Sequence, residues 1–260
     1  VYITGLGGSI GMNEIKQANP DGLTIGIGAT SNLITYPLLH SDASYNPLQD
    51  FSYITNIVYV PHILIAQKNI AGNSFADFLA QIKINSYSYL SPGTGSSPYF
   101  LMQSLSKQID VNLKHIPLKD GTASAIKAIK VGRGEIMAGL SLTSLPFVLE
   151  QQSDAGLVVA VASPNRISEL PNTPTLAELG FANLNKMSTF GLIAPAKVDV
   201  KVIELLNNAM QKVLKSSLVT TKLAKYGCAV QGLSSSQFLQ QTQNEYNSYK
   251  QIMTNYQLAN

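Results

Sequence analysis

Three short loops of small polar residues carry most of the chemistry this sequence can offer. They are Gly28-Ala29-Thr30-Ser31-Asn32, Ser91-Pro92-Gly93-Thr94-Gly95-Ser96-Ser97 and Asp120-Gly121-Thr122-Ala123. Each follows a β-prone run: Leu23–Ile27, Tyr87–Leu90 and Leu113–Ile116. Glycine lets the backbone approach a ligand closely, and Ser and Thr add hydroxyl donors. After the second loop, Ser97 as N-cap and Pro98 at N1 predict a helix start. A helix start presents unpaired N–H groups and the positive end of the helix dipole, which suits a carboxylate or another small anion. The candidate ligand contacts are therefore Ala29, Thr30, Ser31, Asn32, Ser91, Gly93, Thr94, Gly95, Ser96, Gly121 and Thr122, with Ser141 after the run Glu135–Leu140. Any one such loop also fits an ordinary strand-to-helix turn. Three at the carboxyl ends of strands favour a site, because open α/β sheets bind ligands there.

Signals for catalysis are weak by comparison. His40, His62 and His115 are isolated, with no H-x-x-H or H-E-x-x-H spacing. There is no G-x-S-x-G elbow and no G-x-x-x-x-G-K-[ST] phosphate loop. His62 follows Pro61 before a strand and reads as structural; Asp21, Asp42, Asp50 and Asp120 read as turn formers. Gly5-Leu6-Gly7-Gly8-Ser9-Ile10-Gly11 hints at a dinucleotide turn after a Val1–Thr4 strand, but its third glycine is misplaced and no acidic residue ends a strand at the required distance. Neither a cofactor nor a metal is expected. The lone Cys228, in Gly227–Val230, reads as a buried small residue at the start of a strand.

Composition places the chain among folded proteins. Apolar residues make up 45% and charged residues 13%, too apolar for disorder, and no run reaches the roughly 18–20 residues that span a bilayer. The formal charge is +3, with scattered lysines and only Arg133 and Arg166 as arginines. A nucleic-acid binder would gather its cations on one face, so none is expected as a partner. Val1 opens straight into an apolar stretch with no basic n-region and no small-residue cleavage site, so no signal peptide is expected within this sequence.

Strand-like runs at Leu23–Ile27, Ile63–Ala66, Tyr87–Leu90, Leu113–Ile116, Glu135–Leu140, Leu157–Ala162 and Phe190–Ile193 alternate with helical patterns. This predicts α/β architecture with mainly parallel sheets. Asp199 is expected to cap a helix carrying Val202, Leu205, Leu206, Ala209, Val213 and Leu214 on its core face. Ser234-Ser235-Ser236-Gln237 predicts a capping box, followed by a face of Phe238, Thr242, Tyr246, Tyr249 and Met253. Ser74 should cap Phe75–Ile82. The length allows two domains at about 100–200 residues each, and the even alternation predicts interleaved segments rather than a tether.

The order of these motifs resembles the extracytoplasmic solute receptors of tripartite tricarboxylate transporters, often called the Bug family. Gly5–Gly8 resembles G-A-G-G, Asn19–Thr24 resembles A-P-D-G-Y-T, and Tyr45–Phe51 resembles Y-D-P-x-x-D-F. Ser91–Ser97 resembles the family's G/S-rich ligand loop, and His115–Lys119 resembles H-V-P-Y-K. Pro171–Gly180 resembles L-P-x-V-P-T-x-A-E-x-G, and Phe190–Pro195 resembles W-F-G-L-x-A-P.

The resemblance implies a two-lobed, flytrap-like periplasmic-binding-protein fold. Lobe 1 would comprise residues 1–67 and 192–260, lobe 2 residues 68–191, each a mostly parallel sheet flanked by helices. It also implies export, capture of a small carboxylate-type ligand between the lobes by hinge closure, and delivery to membrane permease subunits by a monomer. Family members begin with a further strand, Gly-rich loop and helix that is expected to be missing ahead of Val1. Many relatives carry Asp where this chain has Gly139, which makes an amino-acid ligand a poorer fit. Thr189 stands in place of the family's Trp, leaving a smaller and more polar wall. The alternatives are a small-anion α/β enzyme, in which His115 would work beside Asp120, an effector-sensing domain of the same fold, or a truncated remnant that does not bind.

Overall fold

The computed structural model describes residues 8–41, 43–118, 121–150 and 156–258. The Val1–Thr4 strand, Gly5, Gly7, Asp42, Lys119 and Asp120 lie outside the described residues. The chain packs as two compact units. The first comprises residues through Tyr59, Gly95–Ser97, and Ser188 onward; the second comprises Val60–Thr94 and Pro98–Met187. Val60–Gln67 and Gly95–Ser97, assigned on sequence grounds to the first and second lobes respectively, thus pack with the opposite units, as does Ser188–Gly191.

In the first unit, β1 (Gly26–Ala29), β2 (Phe51–Val60), β8 (Ser188–Pro195) and β9 (Ala229–Val230) form a sheet in the order β1-β8-β2-β9. Its helices are α1 (Ser9–Gln17), a π-helical turn Ser31–Thr35 leading into α2 (Tyr36–Leu39), α8 (Val200–Leu214), α9 (Ser217–Ala224) and α10 (Ser235–Tyr256). In the second unit, β3 (His62–Ala66), β4 (Ser88–Ser91), β5 (Lys114–Pro117), β6 (Ile136–Leu140) and β7 (Leu157–Ala162) form a sheet in the order β5-β4-β6-β3-β7. Its helices are α3 (Lys68–Ala71), α4 (Phe75–Ile84), α5 (Ser97–Gln108), which starts on the first unit's Ser97, α6 (Thr122–Lys130) and α7 (Ser141–Glu150).

The α/β class stands, but the mostly parallel sheets do not. In the second unit β4 pairs parallel with β5 and β6, whereas β3 runs antiparallel to both β6 and β7. In the first unit β1–β8 and β2–β9 are antiparallel. The cause lies in chain entry. β3 starts beside the end of β6, where the Ser141 N–H bonds the Pro61 carbonyl at 2.9 Å, so β3 must run against the strands that its own sheet winds by crossover helices.

Local signals determine the helix starts. Ser74 accepts from Asp77 N–H, Asp199 from Lys201 N–H, and Ser234 forms the full capping box with Gln237. On α10, Phe238, Thr242, Tyr249 and Ile252 are buried. On α8 the expected core stripe is wrong in part: Ile203 and Leu214 are buried, but Leu205 is 69% and Val213 48% exposed. Ile203 packs with Ile54, Ala194 and Val198, which rotates the buried face away from Leu205. The second unit's core gathers Ile63, Ile65, Leu90, Met137, Leu145 and Val161 with Ala125 and Ile129 of α6. Among the described residues, no helix is long and apolar enough to cross a membrane.

Candidate functional site

In the first unit the Ala29–Asn32 loop closes on itself and on two distant segments. The Asn32 side chain folds back over the end of β1, accepting from Ala29 N–H at 2.7 Å and donating to the Ile27 carbonyl at 3.2 Å. Because Ala29 pairs with Phe190, the buried Thr30 hydroxyl meets β8 and accepts the Thr189 N–H at 2.8 Å. The Ser31 hydroxyl accepts the Ser97 N–H at 3.1 Å, and the Ser97 and Ser188 hydroxyls stand 2.6 Å apart. Thr35 donates to the Gly95 carbonyl at 2.6 Å. Gly95 has φ +88°, and a Cβ there would lie 2.8 Å from the Tyr36 ring, so only glycine fits.

Behind Thr30 lies a second polar chain. The Thr189 hydroxyl donates to the Glu245 carboxylate at 3.0 Å, Gln241 donates to the same carboxylate at 2.7 Å, and Asn56 donates to Gln241 at 2.8 Å. Thr189 is therefore buried and held by α10, while its N–H holds Thr30.

In the second unit the loop after β4 is organised by a histidine. Ser91 is fully buried; its hydroxyl accepts the Gly93 N–H at 3.1 Å and lies 2.8 Å from His115 Nε2. The His115 ring stacks on Tyr89, with centroids 4.8 Å apart, and lies 4.7 Å from Tyr99. Burial lowers its pKa to about 4, so the imidazole is neutral at neutral pH. Gly93 and Gly121 both have positive φ, and among the described residues nothing stands within 4 Å of a Cβ built on either. Gly121 is the N-cap of α6 and supplies no side-chain cap. Thr122 and Ser141, at the starts of α6 and α7, are buried.

Gly139 marks where these two helix starts meet. A Cβ there would lie 2.4 Å from the Ser144 hydroxyl and 2.7 Å from the Thr122 methyl. Ser144 is fully buried and its hydroxyl has no partner among the described residues. Gly139→Ala is expected to destabilise the protein by about 1–3 kcal/mol through overpacking, read as a fall in the urea midpoint. An unchanged midpoint would show that the two helix starts yield freely.

The structure thus gathers Thr30, Ser31, Asn32, Gly95 and Ser97 around the end of β1, and places Ser91 and Gly93 with His115 in the second unit. The Ser91 hydroxyl is engaged by the Gly93 N–H of its own loop and by His115 of β5. The sequence reading missed Ser97, Ser188 and Thr35 as members of the first cluster and His115 as the partner of Ser91. Only strand pairing and long-range packing bring them in, and neither leaves a local mark.

The tripartite tricarboxylate transporter receptor family model matches residues 3–258. The chain belongs to the tripartite tricarboxylate transporter receptor family. Similar family proteins include a UPF0065 protein of Agrobacterium vitis, 27% identical over 86% of this chain and 64% of that protein, and BugT of Bordetella pertussis, 26% identical over 86% and 68%. This chain therefore spans somewhat under two thirds of the Agrobacterium vitis relative's length. Among solved structures, a periplasmic transporter superposes with TM-score 0.92 at 27% identity, over 98% of this chain and 85% of that one. R. palustris Rpa4515, solved with adipate, superposes with TM-score 0.90 at 23% identity over the same shares, a likeness of fold. The periplasmic-binding-protein fold is thus that of this chain, which also superposes on the periplasmic binding protein BugD with TM-score 0.89 at 23% identity.

Proposed function

We propose that this receptor-family chain works outside the cytoplasm as a monomeric solute-binding protein, captures a small carboxylate and delivers it to the permease subunits of a tripartite tricarboxylate-type transporter. The observation that carries the reading is the second unit's pair of positive-φ glycines, each with room beside it among the described residues. Gly93 follows β4, and Gly121 starts α6 without a side-chain cap. Amides at such a helix start attract an anion through their partial positive charge and need no arginine. The first unit has a neutral polar cluster of its own in the Ser31, Ser97 and Ser188 hydroxyls. Family membership supports the receptor role. The adipate in the R. palustris structure illustrates the ligand class in a protein of the same fold.

The same geometry supports a binding rather than a catalytic role. The His115–Ser91 pair resembles a base and nucleophile, but Ser91 is fully buried and its hydroxyl also holds the Gly93 N–H.

A thermal-shift screen of adipate, other di- and tricarboxylates, aromatic acids and amino acids on the full-length protein tests the proposal. A true ligand at 100 times its Kd should add about 2.7 kcal/mol of stability. A flat response across the carboxylates would overturn it.

A further inference from the structure

We propose that His115 is a positioning residue for ligand capture: its Nε2 accepts a hydrogen bond from the Ser91 hydroxyl and thereby fixes the backbone at Gly93 in the shape that meets the ligand. The ligand part of this inference rests on the receptor reading above.

The argument begins with the β4–β5 ladder. Tyr89 pairs with His115 and Ser91 with Pro117 in parallel register. Side chains of paired residues share a face, and so do residues two apart along one strand. Tyr89, Ser91 and His115 therefore stand on one face. The imidazole lies over Tyr89, with the Tyr99 ring on it too, while Gln103 holds the Tyr89 hydroxyl at 2.6 Å. Two aromatic rings thus set the plane of the imidazole, and one ring edge is left pointing at Ser91.

The Ser91 hydroxyl stands 2.8 Å from His115 Nε2 and 3.4 Å from the Gly93 carbonyl; with the imidazole protonated on Nδ1, both are acceptors within its reach. The shorter contact takes the proton, because hydrogen-bond strength falls steeply over that range. Nε2 is then the lone-pair nitrogen and Nδ1 carries the ring proton. Burial keeps the imidazole neutral, so one ring nitrogen keeps its lone pair. With its proton directed at His115, the Ser91 oxygen turns its lone pairs towards the Gly93 N–H, 3.1 Å away. The β5 end adds a second tie, since Leu118 N–H bonds the Ser91 carbonyl at 3.0 Å. Gly93 itself, at φ +126° with room beside it among the described residues, can be held only through its backbone. His115 does that at one remove, without touching the ligand.

Four variants test this: His115→Phe, His115→Gln, Ser91→Ala and the double variant His115→Phe/Ser91→Ala. Phenylalanine keeps the ring stack but has no acceptor, and glutamine restores an acceptor. The first readout is amide hydrogen exchange at Gly93 in the ligand-free protein, by NMR. His115→Phe and Ser91→Ala should each speed it about tenfold, the double variant no more than either, and His115→Gln should bring it back towards the native rate. The second readout is the Kd for adipate, with a rise of roughly tenfold in His115→Phe, the worth of about one hydrogen bond.

Native exchange at Gly93 in His115→Phe would overturn the positioning role, as would additive effects in the double variant. Faster exchange with an unchanged adipate Kd would overturn the link to capture. If the native protein itself fails to bind any carboxylate of the screen, the receptor reading falls and takes the capture link with it, while the exchange result still decides whether His115 positions Gly93. Should His115→Phe fail to fold, Ser91→Ala and His115→Gln carry the same comparison.

Discussion

Phe238→Ala is expected to cost about 3–5 kcal/mol of stability, the range for deleting a fully buried aromatic ring. The Phe238 ring is wholly buried under the first unit's sheet, edge-on to Tyr53 at 5.0 Å. Its seat depends on Gly191: a Cβ on that residue would fall 2.4 Å from the ring and 2.6 Å from the Thr55 carbonyl. The strand has been left bare where the ring presses on it, so truncating the ring leaves a void that neighbouring side chains cannot fill. The same helix carries Gln241 and Glu245, which hold Thr189 and through its backbone Thr30. Loss of Phe238 should therefore loosen the end of β1 as well as lower the urea midpoint. Urea melts followed by circular dichroism measure the first effect. A change under 1 kcal/mol would show that α10 does not depend on this contact.

Stability is expected to fall as the pH drops from about 6.5 to about 4, and His62 should account for about 3 kcal/mol of the loss. His62 is 2% exposed at the start of β3, and burial depresses its pKa to about 4 against an ordinary value of 6.5. A hydrogen bond of 3.0 Å from Nδ1 to the Lys186 carbonyl opposes that shift without cancelling it. The sign follows from proton counts. Between the two pKa values the unfolded chain binds a proton that the folded chain refuses, so acid favours unfolding there. The contribution is complete above pH 6.5, is lost progressively down to about pH 4, and is flat below. His115, depressed in the same direction but half-buried, adds a smaller share. Thermal melts of the native protein and His62→Gln across this range provide the check. The variant should give a flatter profile, and parallel profiles would remove His62 as the cause.

What the sequence determined by itself about this protein is whatever depends on a few neighbouring residues. The caps at Ser74, Asp199 and Ser234 are bonds between residues two or three apart, and all three form. The run Leu157–Ala162 is a strand from end to end, and the expected strands at Ile63, Tyr87, Leu113, Glu135 and Phe190 are present with ends shifted by a residue or two. Asp21 and Asp50 accept local N–H groups in turns, as their positions suggested. The order of short motifs was enough to point to the receptor family.

Only the tertiary structure decided the rest. The longest strand, Phe51–Val60, escaped notice because both its faces are largely buried and its residues do not alternate. Strand direction was out of reach because it depends on where the chain enters each sheet. Leu205 and Val213 share the periodicity of core residues yet face outwards, since the core packs on Ile203 instead. The loops show the division most clearly. Their glycines and hydroxyls were legible as residue types, but which hydroxyl is engaged and which glycine has room beside it depends on partners far away in sequence. Ser97 meets Ser31 and Ser188, and Ser91 meets His115, across separations of 66, 91 and 24 residues. A hydrogen bond is decided by distance in space, and distance along the chain says little about that until the sheets are paired.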